Sequence, residues 1–256
     1  MADNAPESSN AERLKGIFSR DDNIYIGSGT SRRKTLKTLY FFAEEIEEDK
    51  MEVRAVNGFF LPIGNPTVVN LAEFIQKHRP ELELYQTKTL PALNDLAKTL
   101  AKAERLRNRG EQYTAEVEYQ KALKMDETNV RGTFGLGLTY LDRGENQKAA
   151  DLLKKLVKIE EAFHPDNKHM FNEFGIKLRK NKMYDQALAY YASAYKTSNR
   201  DENLLYNIAR TLFDKGDFEN GLKYITKALE LCPDFEEGLK LKAALERKLR
   251  TAATCA

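Results

Sequence analysis

The sequence predicts a mainly α-helical protein: an α-solenoid of about four helix–turn–helix repeats with a capping helix, preceded by a small α+β module. Three observations carry this. The chain changes character near residue 90, from short β-rich runs with glycines and prolines to long Ala-, Leu-, Lys- and Glu-rich stretches. Beyond that point one spacing of turn, small and large residues recurs four times. After the fourth copy comes one more amphipathic segment with a charged back.

Taken in order, residues 1–15 are polar and are expected as a disordered tail. Residues 16–90 form the module. NIYIG (23–27), LYFFAEE (39–45) and MEVRAV (51–56) read as strands. TLKTLYFFAEEI fits both a helical face and an alternating one. The acidic EEDK turn and the MEVRAV run behind it favour a hairpin, hence a strand. VNLAEFIQKHRP reads as a short helix capped by Asn70, with Leu71, Phe74 and Ile75 inward and His78 at its end. ELELYQTKTLP (81–91) shows no strong periodicity and ends in proline, so a linker or docking strand is expected there. The array spans residues 91–250, and residues 251–256 are expected to fray.

In the array the turn residues are Gly110, Gly144, Lys182 and Gly216. Five positions on stand Ala115, Ala149, Ala187 and Gly221, followed by the pairs Tyr119 with Ala122, Leu153 with Leu156, Tyr191 with Ala194, and Ile225 with Ala228. Small residues let two helices cross closely while large ones fill the grooves beside them. Glycine supplies the left-handed cap, so Lys182 predicts a different turn geometry or strain. The turns are 34 residues apart within each outer pair and 38 apart in the middle. The extra residues fall in EEAFHPDNKHM, where a longer helix or a small loop is expected, with Pro165 able to start the next helix. FEEGLKLKAALERKL (235–249), with Leu239, Leu241, Ala243, Ala244, Leu245 and Leu249, is the expected cap.

This pattern resembles the tetratricopeptide repeat, over roughly residues 92–250. Gly137, Gly175 and Ala209 match the family's small first-helix position, and Pro233 stands where its second helix often ends. Glu127, Glu161 and Asn199 depart there, and Thr99, Thr133, Phe171 and Leu205 replace the family's first-helix aromatic. The N-terminal segment is similar to segments of bacterial members without an assigned function.

Charge and composition exclude several classes. Forty-one Lys and Arg against 39 Asp and Glu leave +2, with −2 in residues 1–90 and +4 beyond, so a nucleic-acid partner is not expected. No apolar run is long enough to span a bilayer and no secretory leader is visible, so the expectation is a cytoplasmic protein without membrane association. Two cysteines exclude a disulfide framework; Cys232, before Pro233, reads as structural. GSGTSRRK (27–34) lacks the glycine spacing of a phosphate loop. His164, Asp166 and His169 are spaced wrongly for a helical metal pair, so no metal and no cofactor are expected. EEIEED (44–49) fits no calcium loop. No catalytic constellation emerges, and the chain is expected not to be an enzyme.

The resemblance then implies a concave groove lined by first helices that captures a protein or peptide partner. Projected onto this sequence, that face exposes Arg131, Phe134, Leu138 and Leu141, then His169, Asn172, Glu173, Ile176 and Arg179, then Asn203, Tyr206, Asn207, Arg210 and Phe213. Asn207 and Arg210 are expected to be free to meet a partner. Some members clamp a terminal carboxylate with Lys and Asn, but Leu100, Glu104 and Gly135 stand in those places. The alternative is a signalling protein whose module binds a nucleotide or another anion through Arg32, Arg33 and Lys34.

Overall fold

A computed structural model of the chain describes residues 13–26, 33–159, 162, 164, 167–196 and 198–254. The chain divides into two compact units, residues 1–98 and 99–256.

The first unit is built on an antiparallel sheet. Its strands are β1 (Lys15–Ile26), β2 (Arg33–Glu47), β3 (Lys50–Val56), β4 (Pro62–Asn70) and β5 (Arg79–Pro80), in the order β4-β3-β2-β1-β5. The ambiguous stretch is therefore a strand: Phe41 pairs with Phe18 on one side and Ala55 on the other. Alternation puts Phe18, Ala43 and Met51 on one buried face, where Phe74 of α1 (Leu71–Lys77) closes the core. Asn70 caps α1 as expected, accepting from the amides of Ala72 and Glu73 at 3.0 and 3.3 Å. Ile75 does not face inward. It is 53% exposed, because a seven-residue helix turns only one narrow stripe to the sheet, and Phe74 and Leu71 occupy it. His78 ends the helix, stacked on Phe74, with its Nδ1 2.8 Å from the Phe74 carbonyl.

Two expectations about tails and linkers fail. The part of the tail that is described, residues 13–15, is tied to the sheet: the Glu45 amide donates to the Leu14 carbonyl at 2.8 Å. Residues 1–12 lie outside the described residues, as do 255 and 256. The segment 81–91 is helical rather than a linker. α2 (Leu82–Leu84) runs through one π-turn (Tyr85–Thr89) into α3 (Leu90–Asn108). A proline in a helix leaves a carbonyl one turn back without its donor. Here the π-turn, closed by the Leu90 amide on Tyr85, shifts the ladder just before Pro91.

The second unit is the repeat array: α4 (Gln112–Met125), α5 (Val130–Asp142), α6 (Asn146–Leu156), α7 (Lys168–Lys180), α8 (Tyr184–Tyr195), α9 (Glu202–Lys215), α10 (Phe218–Leu231) and α11 (Glu236–Thr254). Every small and large second-helix residue of the spacing is buried, from Ala115, Tyr119 and Ala122 to Gly221, Ile225 and Ala228. Neighbouring helices pack in pairs, and α5, α7 and α9 pack on one another across repeats. Gly110, Gly144 and Gly216 turn at φ of 82°, 73° and 92°. Lys182 takes the same left-handed geometry at φ 61°, so the third turn keeps its shape and carries the strain of a side chain. Between α6 and α7 residues 157–159, 162, 164 and 167 are described, and α7 begins at Lys168; Pro165 and Asp166 lie outside the described residues. The cap is one long helix that continues through Thr254. Its seam is Leu241 and Leu245, while Leu239 is exposed. No helix among the described residues is long and apolar enough to cross a membrane.

Candidate functional site

Successive first helices α3, α5, α7 and α9 place the projected groove residues, and the array treats its two ends differently. In the fourth repeat the polar side chains meet one another. Asn207 is 9% exposed and donates from Nδ2 to Asn172 Oδ1 at 3.3 Å. Arg179 is paired with Asp214, and Arg210 approaches the same carboxylate, Nε to Oδ1 at 3.4 Å, while its guanidinium lies over the Phe213 ring. Asn203 donates to Glu202 at 3.0 Å, and Tyr206 packs against Phe235 with ring centroids 5.3 Å apart. Asn207 is therefore not free, contrary to the sequence reading: its partner lies 35 residues back and joins the fourth repeat to the third. Arg210 is held only within α9, by a carboxylate four residues on, and stays partly exposed.

Phe134, Leu138 and Leu141 also depart from the projection. All three are buried, because α5 is covered from nearly every side between Val130 and Leu141, with Arg131 its exposed exception. Phe134 packs edge-on against Phe174 and Tyr190, ring centroids 5.8 and 6.4 Å away.

Phe134 and Leu138 nevertheless reach the groove as lining of a cavity of about 210 Å³, which takes in Glu104, Arg107 and Asn108 of α3, Tyr119 of α4, Arg131 and Gly135 of α5, and His169, Met170 and Glu173 of α7. On its rim Arg131 forks onto Glu104 with two bonds of 2.6 Å, which raises the Arg131 pKa. Deeper, Arg107 Nη1 meets Glu173 at 3.1 Å and Asp142 at 3.4 Å, and Lys177 also pairs with Asp142. Burial works against the Arg107 charge, but these carboxylates outweigh it and its pKa is raised.

Gly135 shapes this cavity. A Cβ there would overlap the Tyr119 ring, so the missing side chain seats the ring and admits its hydroxyl to the groove. Tyr119 is fully buried, and burial pushes its phenol up to about 12 against the opposing pull of Arg107. An arginine can only donate. Even with Arg107 facing the phenol oxygen, the Tyr119 proton has no acceptor, and the Arg107 Nε–H is likewise unpartnered. The cavity thus holds two unspent donors beside two carboxylates, Glu104 and Glu173.

Of the residues projected from sequence, Arg131, Phe134, Leu138, His169 and Glu173 come together here. Asn172, Arg179, Asn203, Tyr206, Asn207 and Arg210 do not line this cavity. Arg107 and Tyr119 escaped the sequence reading. One signal was available: Gly135 aligns with Glu173 and Asn207 in the repeat frame, so a side chain is missing where its counterparts have long ones. Elsewhere, Arg33 and Lys34 stand exposed at the start of β2, whereas Arg32 lies outside the described residues. His169 sits in the first turn of α7 and His164 is exposed; no group of three His, Cys, Asp or Glu among the described residues is placed to hold a metal. Cys232 closes α10, its amide on the Ala228 carbonyl, with a free thiol.

Comparison with known proteins agrees with this architecture. Models described as tetratricopeptide repeat match residues 95–167 and 178–245, together more than half of the chain. Hsp70-Hsp90 organizing protein 3 of Arabidopsis thaliana is 30% identical over 97 residues, 38% of this chain and 17% of that protein. Anaphase-promoting complex subunit 3 of Schizosaccharomyces pombe is 24% identical over 132 residues, 49% of this chain and 19% of that protein. The chain thus spans under a fifth of these relatives. Among solved structures, MamA from Desulfovibrio magneticus is 20% identical with a TM-score of 0.46, covering 62% of this chain and 90% of that one. PilF of Pseudomonas aeruginosa is 19% identical with a TM-score of 0.46, covering 61% and 69%. With the repeat spacing, the buried crossings and the left-handed turns all in register, the chain belongs to the tetratricopeptide repeat family.

Proposed function

We propose that the chain is a protein-interaction adaptor rather than an enzyme, and that it captures a segment of a partner protein in the groove lined by α3, α5 and α7. The observation that carries this is the cavity at Gly135, a preformed concavity that holds unspent donors. A preformed site spares a partner the cost of ordering the receptor. Repeat relatives that the chain resembles over part of their length are named as organizing proteins and as a subunit of a complex, which fits an adaptor.

A displayed library of extended peptides selected on the full chain tests the reading. The expected result is a shared sequence motif whose binding falls at least about tenfold in Glu173→Lys. It should survive Lys223→Ala with Lys227→Ala, on the second helix of the fourth repeat. Selected peptides insensitive to Glu173→Lys but lost with Arg33→Ala and Lys34→Ala would move the site to the first unit and favour the anion-effector alternative. No selected motif at all would remove the groove reading.

A further inference from the structure

We infer that the cavity at Gly135 is a pocket for an uncharged carboxamide, the side chain of a Gln or Asn carried by the bound segment. The inference rests on the groove reading and adds the chemistry of what enters it.

Size sets the first limit. Small-molecule sites usually run from ~300 Å³ upward, whereas this cavity is about 210 Å³. It suits one side chain rather than a nucleotide or cofactor. Donors set the second. Tyr119 O–H and Arg107 Nε–H are both buried and both lack an acceptor, and Tyr119 lines the cavity with no part of it exposed. An acceptor oxygen brought to either would pair it, and leaving such donors unpaired is costly.

Charge decides which oxygen. The lining charges cancel, Arg107 and Arg131 against Glu104 and Glu173, and Arg107 already serves Glu173 and Asp142. A ligand carboxylate would be a third acid around one guanidinium, next to a fourth at Glu104, and both lining arginines are already paired with carboxylates. A carboxamide brings its acceptor oxygen without charge. Its NH2 group carries two hydrogens, and the carboxylates of Glu104 and Glu173 stand at the same cavity with spare acceptor capacity. A main-chain peptide unit offers only one such hydrogen.

The test uses the full chain with 13C-labelled tyrosine rings and three probes: N-acetylglutamine methylamide, N-acetylglutamate methylamide and N-acetylalanine methylamide. The Tyr119 ring signal is the one missing in Tyr119→Phe. The glutamine probe should shift it with a dissociation constant on the order of 1 mM, as fits a ligand of about 14 heavy atoms. The glutamate and alanine probes should bind about tenfold more weakly or not at all. Tyr119→Phe should weaken the glutamine probe about tenfold while its circular-dichroism spectrum and thermal midpoint stay in place. A glutamate probe that binds as well as glutamine, an alanine probe that matches it, or binding untouched by Tyr119→Phe would each overturn the assignment. If the probe fails while selected peptides still bind the groove, the carboxamide is lost and the adaptor reading stands. If the probe shifts Tyr119 but no peptide can be selected, the pocket stands and the adaptor reading falls.

Discussion

Tyr119 and Tyr191 occupy the same position in the first and third repeats, yet their hydroxyls end in different surroundings. Each ring takes the seat that a glycine leaves. Tyr119 is seated by Gly135 of the following repeat, and its hydroxyl opens into the groove cavity. Tyr191 is seated by Gly175 of its own repeat, and its ring packs with Phe171 and Tyr190, ring centroids 5.8 and 6.0 Å away, while Arg179 acts on its phenol. The exchange is reciprocal in the repeat frame. Ala103 stands where Gly175 does, and Asn207 stands where Gly135 does. Both tyrosines are buried, and neither hydroxyl has a hydrogen-bond partner among the described residues. The contrast shows that groove polarity alone does not mark a site. Asn207 and Arg179 are spent on Asn172 and Asp214, and the cavity near Gly135 exists because one side chain is absent.

Alkaline pH should give the largest effect, one that the buried tyrosines share. Burial raises the phenols of Tyr119, Tyr190 and Tyr191, Tyr119 to about 12. A tyrosine in the unfolded chain titrates near 10. The folded state therefore holds protons that the unfolded state releases. Its stability is intact below pH ~10 and falls above it, by at most about 1.4 kcal/mol per pH unit for each phenol. Urea unfolding followed by circular dichroism at pH 8, 10 and 11 should show the fall. Tyr119→Phe and Tyr191→Phe should each shallow it over this range. A fall of undiminished slope in either variant would show that the fold does not hold that phenol protonated.

The two glycines should also differ on filling. Gly175→Ala pushes a methyl into a ring hemmed by aromatics, where overpacking costs ~1–3 kcal/mol, offset in part by ~1 kcal/mol of helix propensity. A net loss of up to ~2 kcal/mol is expected in urea unfolding. Gly135→Ala makes the same overlap with a ring that can yield into the cavity, so its net loss should stay within ~1 kcal/mol. A larger loss at Gly135 than at Gly175 would mean that the cavity gives no room.

A comparable effect is expected in the fourth repeat. Asn207→Ala with Arg210→Ala removes a largely buried bond to Asn172 and a contact to Asp214. About 1–2 kcal/mol of stability should be lost, while peptides selected on the Gly135 groove keep their affinity. Lost peptide affinity with an unchanged unfolding midpoint would reverse the assignment of the two halves.

Much of the array was legible because its signals are local. Ala115, Ala149, Ala187 and Gly221 mark the crossings at a fixed offset from each turn, and the left-handed turns follow from glycine. Lys182 was legible as an irregularity, although only coordinates show that the lysine accepts the glycine geometry. The groove was less legible. Helical periodicity says that Asn207 and Arg210 share a face, but the Asn172 that binds Asn207 is 35 residues away. Phe134 and Leu138 project outward from an isolated helix and become buried only because α4, α6 and α7 all lean on α5. In the first unit, alternation found the strands, while the helical 81–91 segment hid behind Pro91 because a π-turn leaves no periodic trace.

The missing side chain at Gly135 also makes the pocket a one-carbon switch that evolution can read and write. In any descendant where residue 135 gains a side chain, the ring at 119 must shrink or turn away. Positions 119 and 135 should therefore change together across related chains, tyrosine with glycine and a smaller residue with anything larger. A lineage that needs a different partner could abandon this pocket with a single codon while the crossings that hold the array remain untouched.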